Sequence, residues 1–166
     1  MEDGQTPRKA RLDQALLLFQ EAYEHQMTGD LEEAATLYQA SIELFPTAEA
    51  HTFLGWTYSF QGRLEDAIVE CQKAIEIDPD FGNPYNDIGA YLIEQQKFEE
   101  AIPWLEKALQ ASRYESYHFP WFNLGRAHAG MECYGRALEC FRQALILDPE
   151  YAPAAEAVQS ARLKIH

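Results

Sequence analysis

Basic residues are scarce in this chain. Lys and Arg total 13 against 27 Asp and Glu in 166 residues, a formal net charge of −14 with neutral histidines. Broad contact with nucleic-acid phosphates or with an anionic membrane surface needs a basic face, so neither nucleic acid nor membrane is expected as a partner. Cysteine is scarce too. Cys71, Cys133 and Cys140 are odd in number and lack a dense framework, which argues against a disulfide scaffold. Cys71 and Cys140 fall among apolar neighbours and read as small buried hydrophobes. No apolar run is long enough to span a bilayer, and the opening Met-Glu-Asp-Gly-Gln-Thr holds no apolar signal core. The expected compartment is the cytoplasm, with a secreted domain whose signal was trimmed as the alternative. The 9 glycines and 8 prolines are too few for a low-complexity chain.

Sites for chemistry are also missing. There is no G-x-S-x-G and no phosphate-cradling glycine loop. The histidines are His25, His51, His118, His128 and His166, and none meets a second ligand at a metal-binding spacing. His25, His51 and His128 read as packed against a neighbouring helix. No metal or cofactor is expected, and the chain is read as a non-enzyme.

What is present is a folded composition, 47% hydrophobic and 24% charged, with its acidity concentrated. Residues 13–113 hold 19 acids and 5 bases, whereas residues 114–166 hold 6 and 5. Two readings of the acidic stretch stay open: a solvated surface that keeps the protein soluble, and attraction of a basic partner.

The chain repeats itself. Ala34, Ala67, Ala101 and Ala137 are separated by 33, 34 and 36 residues. Sixteen residues before them stand Leu18, His51, Tyr85 and Trp121, and four after stand Tyr38, Cys71, Leu105 and Phe141. Ala22, Gly55, Gly89 and Gly125 keep the same step, as do Pro46, Pro79, Arg113 and Pro149. In its best copy the pattern reads Trp121-x2-Leu124-Gly125-x2-His128, then Ala137-x3-Phe141, then Pro149. This resembles the tetratricopeptide repeat family, over roughly residues 12–165. The resemblance implies an all-α fold, a right-handed superhelical α-solenoid of antiparallel helix pairs A and B with the A helices lining its concave side.

Local signals agree with that class. Each unit holds two amphipathic segments, parted by turns at Gly29-Asp30, Gly62-Arg63 and Gln96-Lys97. Asp30 with Glu33 reads as a capping box. Pro84, Pro120 and Pro153 suit a first helical turn, and Pro46, Pro79 and Pro149 stop the helix before them. Helices are expected at 12–28, 31–45, 48–61, 64–77, 82–95, 98–111, 118–131, 134–147 and 152–164, the last a cap with Glu156, Gln159, Arg162 and Lys164 outward. Residues 1–11 are expected to be flexible, and 12–166 to form a single domain with repeats at about 15–47, 48–81, 82–117 and 118–151. The longer third step predicts an extended, partly exposed loop over 112–117.

A second apolar face marks the A helices. Taking about 100° per residue, the repeat-packing His51, Leu54 and Tyr58 point away from Trp56, while Phe60 lies within about 40° of it. The same face elsewhere carries Phe19, Tyr23, Met27, Phe119, Phe122 and Arg126, with Asn86 on it and Asn123 at its edge. Aromatics and Arg carry much interface energy, and Asn offers both a donor and an acceptor to a peptide backbone. These ten residues are the candidate binding set, although some of the rings are also placed to wedge between repeats. Phe19 and Tyr23 are within reach of residues 1–11 as a cover. The acidic flanks Glu24, Glu49, Asp87 and Glu94 favour a partner with Lys or Arg beside its apolar anchors. Chaperone-tail-binding members of the family use a basic clamp; the matching positions here are Phe19, Tyr23, Phe53, Asn83 and Asp87, so that ligand is disfavoured. The expected function is a protein-interaction scaffold holding a peptide or helical segment, with burial of the same face in a homodimer as the alternative.

Overall fold

Caps and turns set the helix ends. In a computed structural model of the chain, described over residues 6–165, Thr6 accepts a hydrogen bond from the Lys9 N–H, and Pro7 opens α1 (Pro7–Thr28). The first helix thus starts earlier than the pattern alone predicts. Residues 7–11, expected as a flexible segment, are its opening turns, and residues 1–5 lie outside the described residues. Gly29 takes φ +88° and ends α1; Asp30 then caps α2 (Leu31–Leu44) by accepting from the Glu33 N–H at 3.4 Å. Thr47 caps α3 (Ala48–Phe60), and Gly62, at φ +76°, leads into α4 (Leu64–Ile77). The same turn recurs in α5 (Asn83–Glu94) to α6 (Phe98–Gln110) and in α7 (His118–Gly130) to α8 (Tyr134–Leu147), where Gln96 and Glu132 take the left-handed position without being glycine. The last helix is α9 (Ala152–Arg162).

These nine helices, with no strand among the described residues, make the all-α, paired-helix fold that the repeat implies. The chain forms two compact units, Met1–Asp78 and Pro79–His166. In the first, α1 packs on α2, α2 on α3 and α3 on α4. In the second, α5 packs on α6, α6 on α7, α7 on α8 and α8 on α9.

The repeated alanines explain the close packing. Ala34, Ala67, Ala101 and Ala137 are fully buried. Opposite them, a Cβ at Gly55 would lie 2.9 Å from the Ala67 carbonyl oxygen, and one at Gly125 would overlap the Phe141 ring. At Gly55 the missing side chain lets the A helix come against the B-helix backbone, and at Gly125 it makes room for the Phe141 ring; both contacts offset the helix propensity lost at the glycine. The loop over 112–117 is partly exposed, as the longer step predicts. Arg113 pairs by a single bridge with Phe81, its guanidinium lies 4.1 Å from the Phe81 ring, and Tyr114 turns inward. Glu156, Gln159, Arg162 and Lys164 are exposed, and Val158 and Ala161 face the α8 side chains of Ala137, Leu138 and Phe141.

Candidate functional site

The A helices present two different surfaces, one on each unit. On the first, α1 and α3 bring their aromatic residues into one chain of rings. Phe19 meets Phe53 at 5.2 Å between centroids, Tyr23 meets Phe53 at 5.8 Å, Phe53 meets Trp56 at 5.7 Å and Trp56 meets Phe60 at 5.3 Å. The pairs that include Phe53 with Phe19, Tyr23 and Trp56 are edge-on, the favoured geometry for aromatic quadrupoles. Spacing on α3 explains the row: residues 53, 56 and 60 are three and four apart and share a face.

Exposure divides this set. Phe19 is half-buried against Tyr38 and Phe53 and acts as a wedge between α1, α2 and α3. Tyr23, Met27, Trp56 and Phe60 stay open, at 40%, 50%, 37% and 57% exposure. Phe53 was not among the candidates, yet it is the hub of the row. It lies about 60° from Trp56 around an ideal helix, just beyond the arc that picks out Phe60. Beneath the rings, Tyr38 donates to Gln26 Oε1 at 2.8 Å, and Gln26 Nε2 is buried without a hydrogen-bond partner.

On the second unit the corresponding face is polar at its centre. Asn86 and Asn123 were expected to hold a peptide backbone, but both are buried and spend hydrogen bonds on each other. Asn123 Nδ2 donates to Asn86 Oδ1 at 3.0 Å, and Arg126 Nη1 donates to Asn123 Oδ1 at 3.0 Å. The reason is tertiary: α5 and α7 pack together, so an amide on each finds the other before it finds a ligand. Asp87 continues the row through a hydrogen bond with Asn86; burial nonetheless pushes its carboxyl up to about 7.

Phe119 and Phe122 also fall in different surroundings from those expected of a pair of open anchors. Phe122 is half-buried, 5.6 Å from the Phe141 ring and 5.2 Å from Tyr151, and helps to fill the α7–α8–α9 core. Phe119 remains exposed and meets Tyr151 edge-on at 5.5 Å. Tyr151 itself stands at the N-cap of α9 and lies on no A-helix face, so the face pattern gave no sign of it.

His51 and His25 stand beside carboxylates. His51 is buried, and its Nδ1–H donates to Glu70 Oε2 at 2.6 Å while Lys73 donates to Glu70 Oε1 at 2.7 Å. Burial alone would raise the Glu70 carboxyl, but the hydrogen bonds from His51 and Lys73 outweigh it and hold it below its ordinary value. His25 Nδ1 lies 3.3 Å from Asp30 Oδ2, beside the α2 cap. Cys71 and Cys140 are buried, and burial raises the Cys140 thiol to about 11; Cys133 is exposed. Among the described residues no group of three His, Cys, Asp or Glu side chains stands together as a metal site, and no helix is long and apolar enough to cross a membrane.

Comparison with known proteins adds the family. Models described as tetratricopeptide repeat match residues 48–81, 70–102 and 118–151. An uncharacterized protein of Haemophilus influenzae is 32% identical over 114 residues, 69% of this chain and 59% of its own length. The type IV pilus assembly protein PilF of Pseudomonas aeruginosa is 29% identical over 121 residues, covering 72% of this chain and 48% of PilF. In solved structures, PilF superposes with a TM-score of 0.85 at 25% identity, over 96% of this chain and 71% of that one. PilW, described as a type IV pilus biogenesis factor, shares the fold with a TM-score of 0.84 at 20% identity, over 90% of this chain and 69% of that one. The chain spans about half to three-fifths of the length of these two curated relatives. With its repeated Gly and Ala contacts, its paired helices and these three matches, the chain belongs to the tetratricopeptide repeat family, a family of protein-interaction scaffolds.

Proposed function

We propose that this chain is a non-enzymatic interaction module that seats an apolar segment of a partner protein on the α1–α3 face of its first unit. The observation that carries the reading is the continuous row Tyr23–Phe53–Trp56–Phe60, whose members other than Phe53 are exposed. Contiguous exposed apolar surface of this kind marks interaction sites in soluble proteins. The row is also ordered in advance, because each ring is held by its neighbour, and that lowers the entropy lost on binding. Residues 1–78 hold 15 acids and 5 bases. The partner segment that fits therefore carries aromatic or aliphatic anchors flanked by Lys or Arg. The likeness to PilF and PilW, whose names tie them to pilus assembly and biogenesis, supports a role in holding parts of a larger assembly together.

A short-peptide display library selected against the protein tests the proposal. Binders should be enriched in aromatic and aliphatic residues beside Lys or Arg, and should lose affinity when Trp56 or Phe60 is replaced by Ala. Binders indifferent to both changes, or no enrichment at all, would contradict it. Burial of the same face by a second copy is the other reading, supported by the exposure of Leu16, which shares the α1 face of Phe19 and Tyr23. Light scattering over a concentration series separates the two. A constant mass near 19.0 kDa removes the dimer.

A further inference from the structure

The hydrogen bonds in the middle of the second unit all run one way. Arg126 donates to Asn123, Asn123 donates to Asn86, and Asn86 hydrogen-bonds the Asp87 carboxyl. Asn86 and Asn123 are only 9% and 7% exposed, so both amides are fixed by packing as well as by their partners. Such a chain of dipoles orients the group at its head. That group is Arg126, half-buried on α7.

The unusual feature is what Arg126 is held by. A structural guanidinium in a protein interior is ordinarily paired with a carboxylate, which spends its charge. Here the partner is a neutral amide oxygen. No carboxylate pairs with Arg126 among the described residues, and Asp87 stands two amides away. Arg126 is therefore aimed but not neutralised, and most of its N–H groups remain to be used. Two turns back on the same helix the Phe119 ring is exposed, backed by Tyr151, which is near enough to feel the charge of Arg126.

We propose that Arg126 is an anion-reading position that takes the side-chain carboxylate of a Glu or Asp in a partner segment, with an adjacent apolar residue resting on Phe119. The choice of a side chain within a segment follows from placement. Arg126 is in the interior of α7, with helix surface on both sides, so an occupant chain continues past it in both directions. A small free carboxylate has only its charge to set against a chain of net charge −14, whereas a segment adds an apolar contact with Phe119. This inference goes beyond the aromatic face of the first unit and does not rest on it, since the unit and the recognising chemistry are both different.

The test is a titration followed at the Arg126 Nε–H in nitrogen-15 NMR spectra, with the signal assigned by its loss in Arg126→Gln. The probes are three capped dipeptides: acetyl-Phe-Glu-amide, acetyl-Phe-Gln-amide, and acetyl-Phe-Gly with a free carboxylate. The expected result is a saturable shift with the Glu probe, weakened about tenfold or more with the Gln probe and by added salt. Asn123→Asp puts a carboxylate directly on Arg126, and should lower affinity for the Glu probe by a similar factor in a protein whose helical circular dichroism is unchanged. No saturable shift, or equal affinity for the Glu and Gln probes, overturns the proposal. A stronger response to the free chain end overturns the choice of a side-chain source. The probe comparison uses the wild-type protein, so it decides the matter even if a variant folds poorly.

Discussion

Gly125→Ala should destabilise this protein even though it replaces a helix-breaking residue by the best helix former. Gly125 lies inside α7, where Ala is favoured over Gly by about 1 kcal/mol on propensity alone. The added Cβ, however, would fall on the edge of the Phe141 ring, with even the more distant Cζ at 2.9 Å. Phe141 has little room to yield. It is 4% exposed, meets Phe122 at 5.6 Å and packs in one cluster with Val158 and Ala161. Overpacking of this kind costs about 1–3 kcal/mol, and the depth of the overlap puts this case at the upper end. The net loss is then about 2 kcal/mol, or about 4–8 °C in Tm for a chain of this size. Gly135→Ala is the control: it lies in α8 with nothing within 4 Å of the new Cβ, and should be neutral or stabilise by up to about 1 kcal/mol. Thermal melts by circular dichroism read both changes. Phe141→Leu should recover part of the Gly125→Ala loss, leaving the double variant more stable than the sum of the single changes predicts. A Gly125→Ala protein that melts at or above wild type would refute the account of why the repeat places glycine against the Phe141 ring.

Two further predictions concern pH. Because Glu70 is held below its ordinary value, its contribution is present above the unfolded carboxylate range and is lost as pH falls through the lowered native value; urea melts from neutral pH into acid should lose stability less steeply in Glu70→Gln than in wild type. Asp87 has the opposite sign. Its carboxyl is pushed up to about 7, so the native state holds the proton longer and stability declines as pH rises from about 4 to about 7; Asp87→Asn should flatten that decline, and an unchanged slope would contradict the burial of this group.

The fold was legible because its signals are local and repeated. Four alanines in step, turns at fixed offsets and prolines at helix starts place the helices from α2 to α9 within a residue or two of where they lie. The start of α1 lies outside the repeat pattern although its sign, Thr6 before Pro7, is in the sequence; the first copy departs most from the pattern, with Leu18, Glu21 and Ala22 where a ring, an aliphatic residue and glycine stand elsewhere. The site was only half legible. Periodicity finds Tyr23, Trp56 and Phe60, since a face of one helix is a property of that helix. It does not find that Asn86 and Asn123 meet, that Phe122 turns into the core, or that Tyr151 backs Phe119. Those facts depend on which helices pack together, and no window over a single helix contains them.

The most direct test of the interaction face is a single substitution read two ways. Trp56 is 37% exposed and touches Phe53 on one side and Phe60 on the other. If it is a binding anchor, Trp56→Ala should weaken a display-selected peptide by about 2 kcal/mol or more, roughly thirtyfold in Kd. Its melting cost should stay well under the about 3–5 kcal/mol of a fully buried tryptophan. Peptide affinity by fluorescence anisotropy and Tm, measured on the same preparation, give both readings. Strong loss of affinity with a small change in Tm is the predicted result. A large fall in Tm, or full affinity retained at full stability, would contradict the claim that this face exists to hold a partner.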